Sequence, residues 1–262
     1  MMKAAIGLLI ILLLTVSQSN AQELSNPPLK IVTPFSSGEK LTYQVKYGFL
    51  VGGITTFTLS DTIYKSKPVF HARAIGQTSG IANTIFGVKD IYESWFDKNT
   101  TLPYKQIRNI KEGRYRLYNE AIYNRNNNTV YSNLSGEHQV PERILDLCST
   151  FYYIRRVDFT KMKAGDILFV NMYFADEVYP FHLRYEGKET IRTKNGKMNC
   201  IKISPVVEVG RMFATKDDMT IWFSDDDKCI PVLVRMELRI VGAVILKLVK
   251  YEILNEAMAN EN

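Results

Sequence analysis

This chain offers a metal ion very little: three histidines, His71, His138 and His182, and three cysteines, Cys148, Cys200 and Cys229. Zinc sites draw on ligands that recur at short spacing. Here no two histidines fall within hairpin or helical reach, and no cysteine pair has ligand spacing. No metal site and no cofactor is expected. His71 alternates with Val69 and Arg73, and His182 lies between Phe181 and Leu183, so both read as residues on a sheet. The odd cysteine count, with each thiol in an apolar neighbourhood, suits buried free cysteines better than a disulfide framework. Catalytic motifs are missing too. Gly76-Gln77-Thr78-Ser79-Gly80 has the outline of a nucleophile elbow, yet Thr78 stands where the serine belongs, and a sharp strand-to-helix turn explains both glycines. Asp225-Asp226-Asp227 lacks the glycine and the distant glutamate of an EF-hand loop, and aspartate is favoured in turns. Glu93, Asp146, Glu186 and Glu237 are carboxylates that a fold could bring together for glycoside hydrolysis, but nothing singles out a pair. No catalytic residue is assigned.

Concentrated charge is also absent. The formal net charge is +6, with the basic residues spread from Lys105, Arg108, Lys111, Arg114 and Arg116 to Arg235, Arg239, Lys247 and Lys250. Nucleic-acid binding calls for a concentrated basic face on a recognisable module, and neither is present. Long apolar runs are confined to the N-terminus. The best later run, 240–249, is broken by Gly242 and Lys247, so no membrane span is expected. At the N-terminus Lys3 precedes an apolar stretch at 4–16, and Ser19-Asn20-Ala21 supplies small residues before Gln22. That stretch is shorter than the ~20 residues a span requires, so residues 1–21 read as a cleaved secretory signal. The expectation is a soluble product in the periplasm or outside the cell. Asn99, Asn127 and Asn133 begin Asn-X-Ser/Thr triplets, which are too short to be specific.

What the chain does have is strand periodicity. Residues 22–37 carry Pro27, Pro28 and Pro34 without a period and read as a flexible leader. From Gly38 the pattern changes. Leu41, Tyr43, Val45 and Tyr47 alternate with Lys40, Thr42, Gln44 and Lys46, as in a half-buried strand. Further strands are expected near 54–60, 69–75, 91–96, 104–111 and 115–123, then at 166–174, 181–185, 189–193, 198–205, 219–223, 230–240 and 243–253. Asn195-Gly196 is the strongest hairpin signal, because both residues tolerate positive φ. Two segments break the pattern: a short helical turn at 79–86 with Ser79 as N-cap, and a helix at 143–157. The latter shows an apolar stripe of Ile144, Leu147, Cys148, Phe151 and Ile154, with Arg155 and Arg156 at its negative end. The fold class is therefore all-β: a mainly antiparallel, strongly curved or barrel-like sheet carrying one or two packed helices. Residues 38–262 form one such domain, and the polar, Asn-rich stretch 124–142 is the natural seam if there are two lobes.

Several motifs resemble a known family. Gly38-Glu39-Lys40-Leu41-Thr42-Tyr43, followed by Tyr47-Gly48 and Gly52-Gly53, resembles the opening of the "domain of unknown function 3108" family of exported bacterial proteins. Residues 146–155, Asp-Leu-Cys-Ser-Thr-Phe-Tyr-Tyr-Ile-Arg, are similar to that family's central helix; Cys148 stands where a small or apolar residue is usual. Residues 221–226 with Ile230-Pro231-Val232 resemble its penultimate strand turn. The resemblance implies an exported, mostly antiparallel β-protein and brings no catalytic residues.

Rings are plentiful along the strands, and a curved sheet with many aromatics can enclose an apolar cavity. The functional expectation is an exported, non-enzymatic envelope protein. It would hold an apolar or amphiphilic ligand, a lipid or envelope precursor, between sheet and helix. Trp95, Tyr115, Tyr118, Phe151 and Trp222 are the expected cavity lining. The alternative is a structural or assembly partner of other envelope proteins, with the rings in the core. A hydrolase is third.

Overall fold

A computed structural model describes residues 23–48, 50–193, 196–205, 218–238 and 242–254. The expected signal at 1–21 and Asn195 of the hairpin lie outside the described residues. Fifteen strands share one sheet: β1 (Glu23–Leu24), β2 (Glu39–Tyr47), β3 (Leu50–Tyr64), β4 (Lys67–Thr78), β5 (Lys89–Asp97), β6 (Pro103–Glu112), β7 (Tyr115–Asn124), β8 (Thr129–Ser132), β9 (Gly136–Gln139), β10 (Ile167–Phe174), β11 (Glu177–Thr193), β12 (Gly196–Pro205), β13 (Met219–Ser224), β14 (Pro231–Leu238) and β15 (Gly242–Ile253). Their spatial order runs β1, then β10 to β15, then β2 to β9. Two meanders are thus joined where β15 lies antiparallel to β2; among the described strands β1 alone pairs in parallel, with β10.

The strand expectations hold, most with longer bounds; β10 begins one residue later than expected, and β14 is described over Pro231–Leu238, positions 239–240 of its expected span lying outside the described residues. The two short strands expected at 181–185 and 189–193 are one strand, β11, with a bulge between Tyr185 and Gly187 that bends it without ending it. Thr193 pairs with Gly196, which fits the expected hairpin. The Asn-rich stretch after β7 is not a plain connector: it forms β8 and β9, which extend the same sheet. Alternation in β2 places Leu41 and Tyr43 in the core, while Tyr47 passes beyond it to the surface. Two glycines of the opening motif are demanded by close approach. A Cβ on Gly38, at φ 87°, would lie 2.3 Å from the Leu254 carbonyl oxygen, and one on Gly53 would lie 2.5 Å from that of Gln77.

The described helices are α1 (Gly80–Ile85) and α2 (Leu147–Arg155), with a 3-10 turn at Phe159–Lys161. Ser79 precedes α1 without a side-chain cap bond. The longer helix is shorter than its apolar stripe, because Asp146 caps it in a reciprocal box with Ser149. Before the cap the chain turns at Glu142–Arg143, with Arg143 at φ 61°, and Leu145 is bridged to Met172. Leu147 points partly outward, whereas Cys148, Ser149, Thr150, Tyr152, Tyr153, Ile154 and Arg155 are all buried. So α2 is enclosed on most sides rather than along one stripe.

It is enclosed because the sheet curls round it. On one side α2 meets β4 and β5, where Phe70, Ala72, Ala74 and Phe96 pack with Cys148 and Tyr152. On the other, Tyr153, Ile154 and Val157 pack with Leu168, Val170, Leu183, Ile201 and Phe223. Tyr123 of β7 reaches Tyr173 of β10 edge-on at 6.2 Å, so the far strands of both meanders approach through side chains. Their backbones do not pair, and β1 and β9 remain the sheet's ends. Both ends are short, which limits edge-to-edge association. The leader is bound to this frame: Asp158 N donates to the Pro28 carbonyl at 2.8 Å, Lys30 N donates to that of Arg156 at 2.7 Å, and Phe35 is buried.

Candidate functional site

Three chain segments far apart in sequence meet at one end of the curled sheet: leader residues 30–36, the stretch 158–161, and the β13–β14 turn at 225–228. Between them opens a groove of about 760 Å³, also lined by Lys188, Ile201 and Tyr251. The turn is shaped by Asp226, whose Oδ1 accepts from Ser224 Oγ at 2.7 Å and from the Lys228 and Cys229 amides at 3.0 Å each. This is ordinary aspartate turn chemistry. Asp158 starts the 3-10 turn by accepting from Thr160, whose hydroxyl holds the Asp158 carboxyl below its usual range.

The groove walls are apolar and its rim is charged. Phe35, Phe159 and Ile201 are buried at its base, while Ile31 is 100% exposed and Val32 77% exposed on the leader bank. Lys30 Nζ donates to the Asp226 and Asp227 carbonyls at 3.3 Å each, and Lys188 pairs with Asp225 at 2.8 Å. That hydrogen bond raises the Lys188 pKa, so the amine stays charged. Lys228 sits over the Tyr251 ring at 4.2 Å, and Lys161 pairs with Asp158 at 3.2 Å.

Beneath the groove lies a fully buried ion pair. Arg155 at the end of α2 donates to both carboxylate oxygens of Glu39 on β2, at 2.6 and 2.8 Å. The same guanidinium donates to the Lys228 carbonyl at 3.3 Å and to that of Pro34 at 3.4 Å. It also lies over the Phe35, Phe151 and Tyr152 rings. One side chain therefore ties helix, strand, leader and turn together, holding both banks of the groove. Burial opposes the Arg155 charge, but Glu39 more than offsets it and the pKa is raised. The adjacent Tyr43 and Tyr152 phenols are pushed up by burial and stay neutral.

A second polar cluster surrounds the start of α2. Asp146 accepts from Ser94 Oγ at 2.5 Å and from Ser149 N at 2.7 Å. Burial pushes its carboxyl up to about 6 against the pull of those donors and of Arg125.

The five residues expected to line a cavity go to separate places. Trp95 stacks on His71 at 4.3 Å on the sheet face away from α2, and Lys105 Nζ lies over the Trp95 ring at 5.2 Å. Lys105 pairs with Glu120, which accepts from Tyr118 Oη, so Trp95 and Tyr118 share that outer face. Tyr115 is exposed at the start of β7. Phe151 stacks on Phe57 at 4.4 Å in the core. Trp222, whose Nε1 donates to Glu189 at 3.1 Å, packs with Cys200 and Val232. The space between sheet and α2, where the sequence suggested a ligand, holds the packed rings of Phe35, Phe70, Phe96 and Tyr152. The groove residues carried no local signal except the aspartate run, since proximity of 30–36, 158–161 and 225–228 is set by the sheet order.

The carboxylates weighed for hydrolysis do not converge. Glu93 binds His71 at 2.8 Å, Glu186 binds Arg184, Glu237 binds Arg235, and Asp146 lies on the opposite sheet face from Glu93. Among the described residues no three His, Cys, Asp or Glu side chains are grouped to hold a metal, and the cysteines are buried and free. Nor is any described helix long and apolar enough to cross a membrane.

The family model described as "Protein of unknown function (DUF3108)" matches residues 42–249, spanning all strands from β2 into β15. The chain belongs to the DUF3108 family. Among solved structures, this DUF3108 protein is similar to a β-barrel-like protein of domain of unknown function DUF1849 from Brucella abortus. The TM-score is 0.52 at 8% identity, covering 83% of this chain and 98% of that one, a likeness of fold alone. A Bacteroides fragilis protein with a YmcC-like fold aligns with a TM-score of 0.33 at 8% identity over 86% of this chain and 99% of its own. No curated protein matches the chain.

Proposed function

We propose that this DUF3108 protein is an exported, non-enzymatic binding protein of the cell envelope whose groove takes one amphiphilic molecule, a lipid or an envelope precursor. The observation that carries this reading is the groove's construction. Its volume of about 760 Å³ falls in the range of small-molecule sites, its base is apolar, and Ile31 and Val32 stand at its mouth without cover. A bound hydrocarbon chain would remove those two side chains from water. The rim has Lys30, Lys161, Lys188 and Lys228 opposite Asp158, Asp225, Asp226 and Asp227. Balanced charge suits a zwitterionic or uncharged headgroup better than a strongly anionic one. Export rests on the N-terminal pattern of residues 1–21.

Native mass spectrometry of protein purified from its own envelope, beside an organic extract of the same sample, tests the reading. The expected result is one bound lipid per chain, lost in Ile31→Asp/Val32→Asp with folding intact. A bare mass, together with no uptake of added phosphatidylethanolamine, would discard it. The assembly-partner reading would then stand on the exposed Tyr118 and Tyr131 of the outer sheet face.

A further inference from the structure

At the opposite end of the strands from the groove, consecutive turns of the first meander carry large apolar side chains into solvent. Tyr47, Leu50 and Val51 flank the β2–β3 turn, Phe86 follows α1, and Tyr115 leaves the β6–β7 turn, each 44–60% exposed. The antiparallel order puts all these turns on one rim. Backbone bonds make the rim continuous: Ser79 N donates to the Gly52 carbonyl at 3.1 Å, and Gly113 N donates to that of Gly87 at 2.8 Å. Phe86 packs on Gly113 so closely that a Cβ there would meet its ring at 2.6 Å. Between the apolar tips stand Lys46, Lys89, Lys111, Arg114 and Arg116, against the acids Asp90 and Glu112.

We propose that this rim docks on an anionic lipid surface, its apolar tips seated at headgroup level and its basic side chains against lipid phosphates. Tyrosine and aliphatic tips flanked by Lys and Arg match the composition of a bilayer interface. A protein partner would call for a contiguous core depleted in lysine, whereas here lysines alternate with the apolar tips. The groove lies at the other end of the strands, so its mouth remains open when the rim is docked.

Co-sedimentation of the purified protein with phosphatidylglycerol-rich vesicles, pure phosphatidylcholine vesicles serving as comparison, tests this. Binding is expected only to the anionic vesicles, and it should weaken as salt rises. Lys89→Gln/Lys111→Gln/Arg114→Gln should lower the partition coefficient by about a hundredfold, each lost cation being worth on the order of fivefold. Leu50→Ser/Val51→Ser/Tyr115→Ser should lower it by about tenfold, from lost apolar burial. All carry the same N-terminus, so residues 1–21 contribute equally, and unchanged melting temperatures would show intact folds. If wild type binds no vesicle, or both variants bind like wild type, the proposal falls and the rim is left to a protein partner.

Discussion

Arg155 occupies a helix C-terminus, where a cation is ordinarily solvated and worth only a few tenths of a kcal/mol to about 1 kcal/mol. Here it is buried against Glu39, 116 residues earlier, with the leader and the 225–228 turn hung on its remaining donors. Removing one partner strands the other as a buried charge, so Glu39→Gln or Arg155→Met should each cost about 3–5 kcal/mol in urea denaturation. The double variant should cost clearly less than the two singles combined, since no charge is then left uncompensated. Additive costs would show that the two side chains do not act as a pair. Asp146 permits a separate test. Its carboxyl has an ordinary value of 3.8 and a folded value of about 6. Between those values the folded chain holds a proton that the unfolded chain releases, so stability falls as pH rises from about 4 to 6. The burial penalty is absent below that window and complete above it, reaching up to about 3 kcal/mol. Glu93, held below its ordinary value by the His71 hydrogen bond, acts in the opposite sense: its contribution is lost as pH falls. Comparison of wild type with Asp146→Asn isolates the Asp146 part. The variant should lack this slope, and parallel stability-versus-pH curves would refute the assignment. Neither Arg155 nor Asp146 was legible as a buried group, because local sequence shows a residue's helix position but not what folds over it.

Strand β2 shows what periodicity does convey. Its alternation identifies Leu41 and Tyr43 as core and Thr42 as the other face, and both are buried as read. Leu41→Asp or Tyr43→Asp buries a charge with no partner and should destabilise by about 3 kcal/mol or more, while Thr42→Asp should be tolerated. Equal melting temperatures for the three variants would overturn this register. The same alternation is silent about where the core stops, so Tyr47 continues the pattern yet ends at the exposed rim. Helix α2 was legible as an element and wrong in extent, since the apolar period of 143–157 continues through residues that the Asp146 cap excludes. Strands β8 and β9 escaped notice for the opposite reason: short polar segments such as Gly136–Gln139 have no apolar face, and only pairing to a formed neighbour makes them strands. Aromatic content in the strands suggested a lined cavity. Which face each ring takes depends on register, and Trp95, Phe151 and Trp222 consequently end in three different surroundings.

At the scale of the whole molecule the decisive contact is the one sequence shows least: β15, at the end of the described chain, pairs with β2, near its start, and joins the two meanders into one sheet. Leu246 faces Val45 and Tyr251 faces Leu41 across this joint, and the Leu254 amide closes it by donating to the Gly38 carbonyl at 2.7 Å. The groove depends on the same joint, because Tyr251 of β15 lines it and the turn carrying Asp226 opens strand β14, the other neighbour of β15. Contacts of such sequence separation form late, after much chain entropy has been lost, so the joint should be the slow step of assembly. A chain ending at residue 241 would keep both meanders but expose β14 and β2 as long unpaired edges, which invite pairing with other copies. That truncation should elute from a sizing column as oligomers or aggregate, with strand content by circular dichroism but no cooperative melting. Adding a peptide of residues 242–254 during refolding should restore part of the monomer, by completing the sheet from its missing strand. A truncated chain that is monomeric and melts cooperatively on its own would show that α2 and its side-chain contacts suffice to hold the meanders, and that the β15–β2 joint is dispensable.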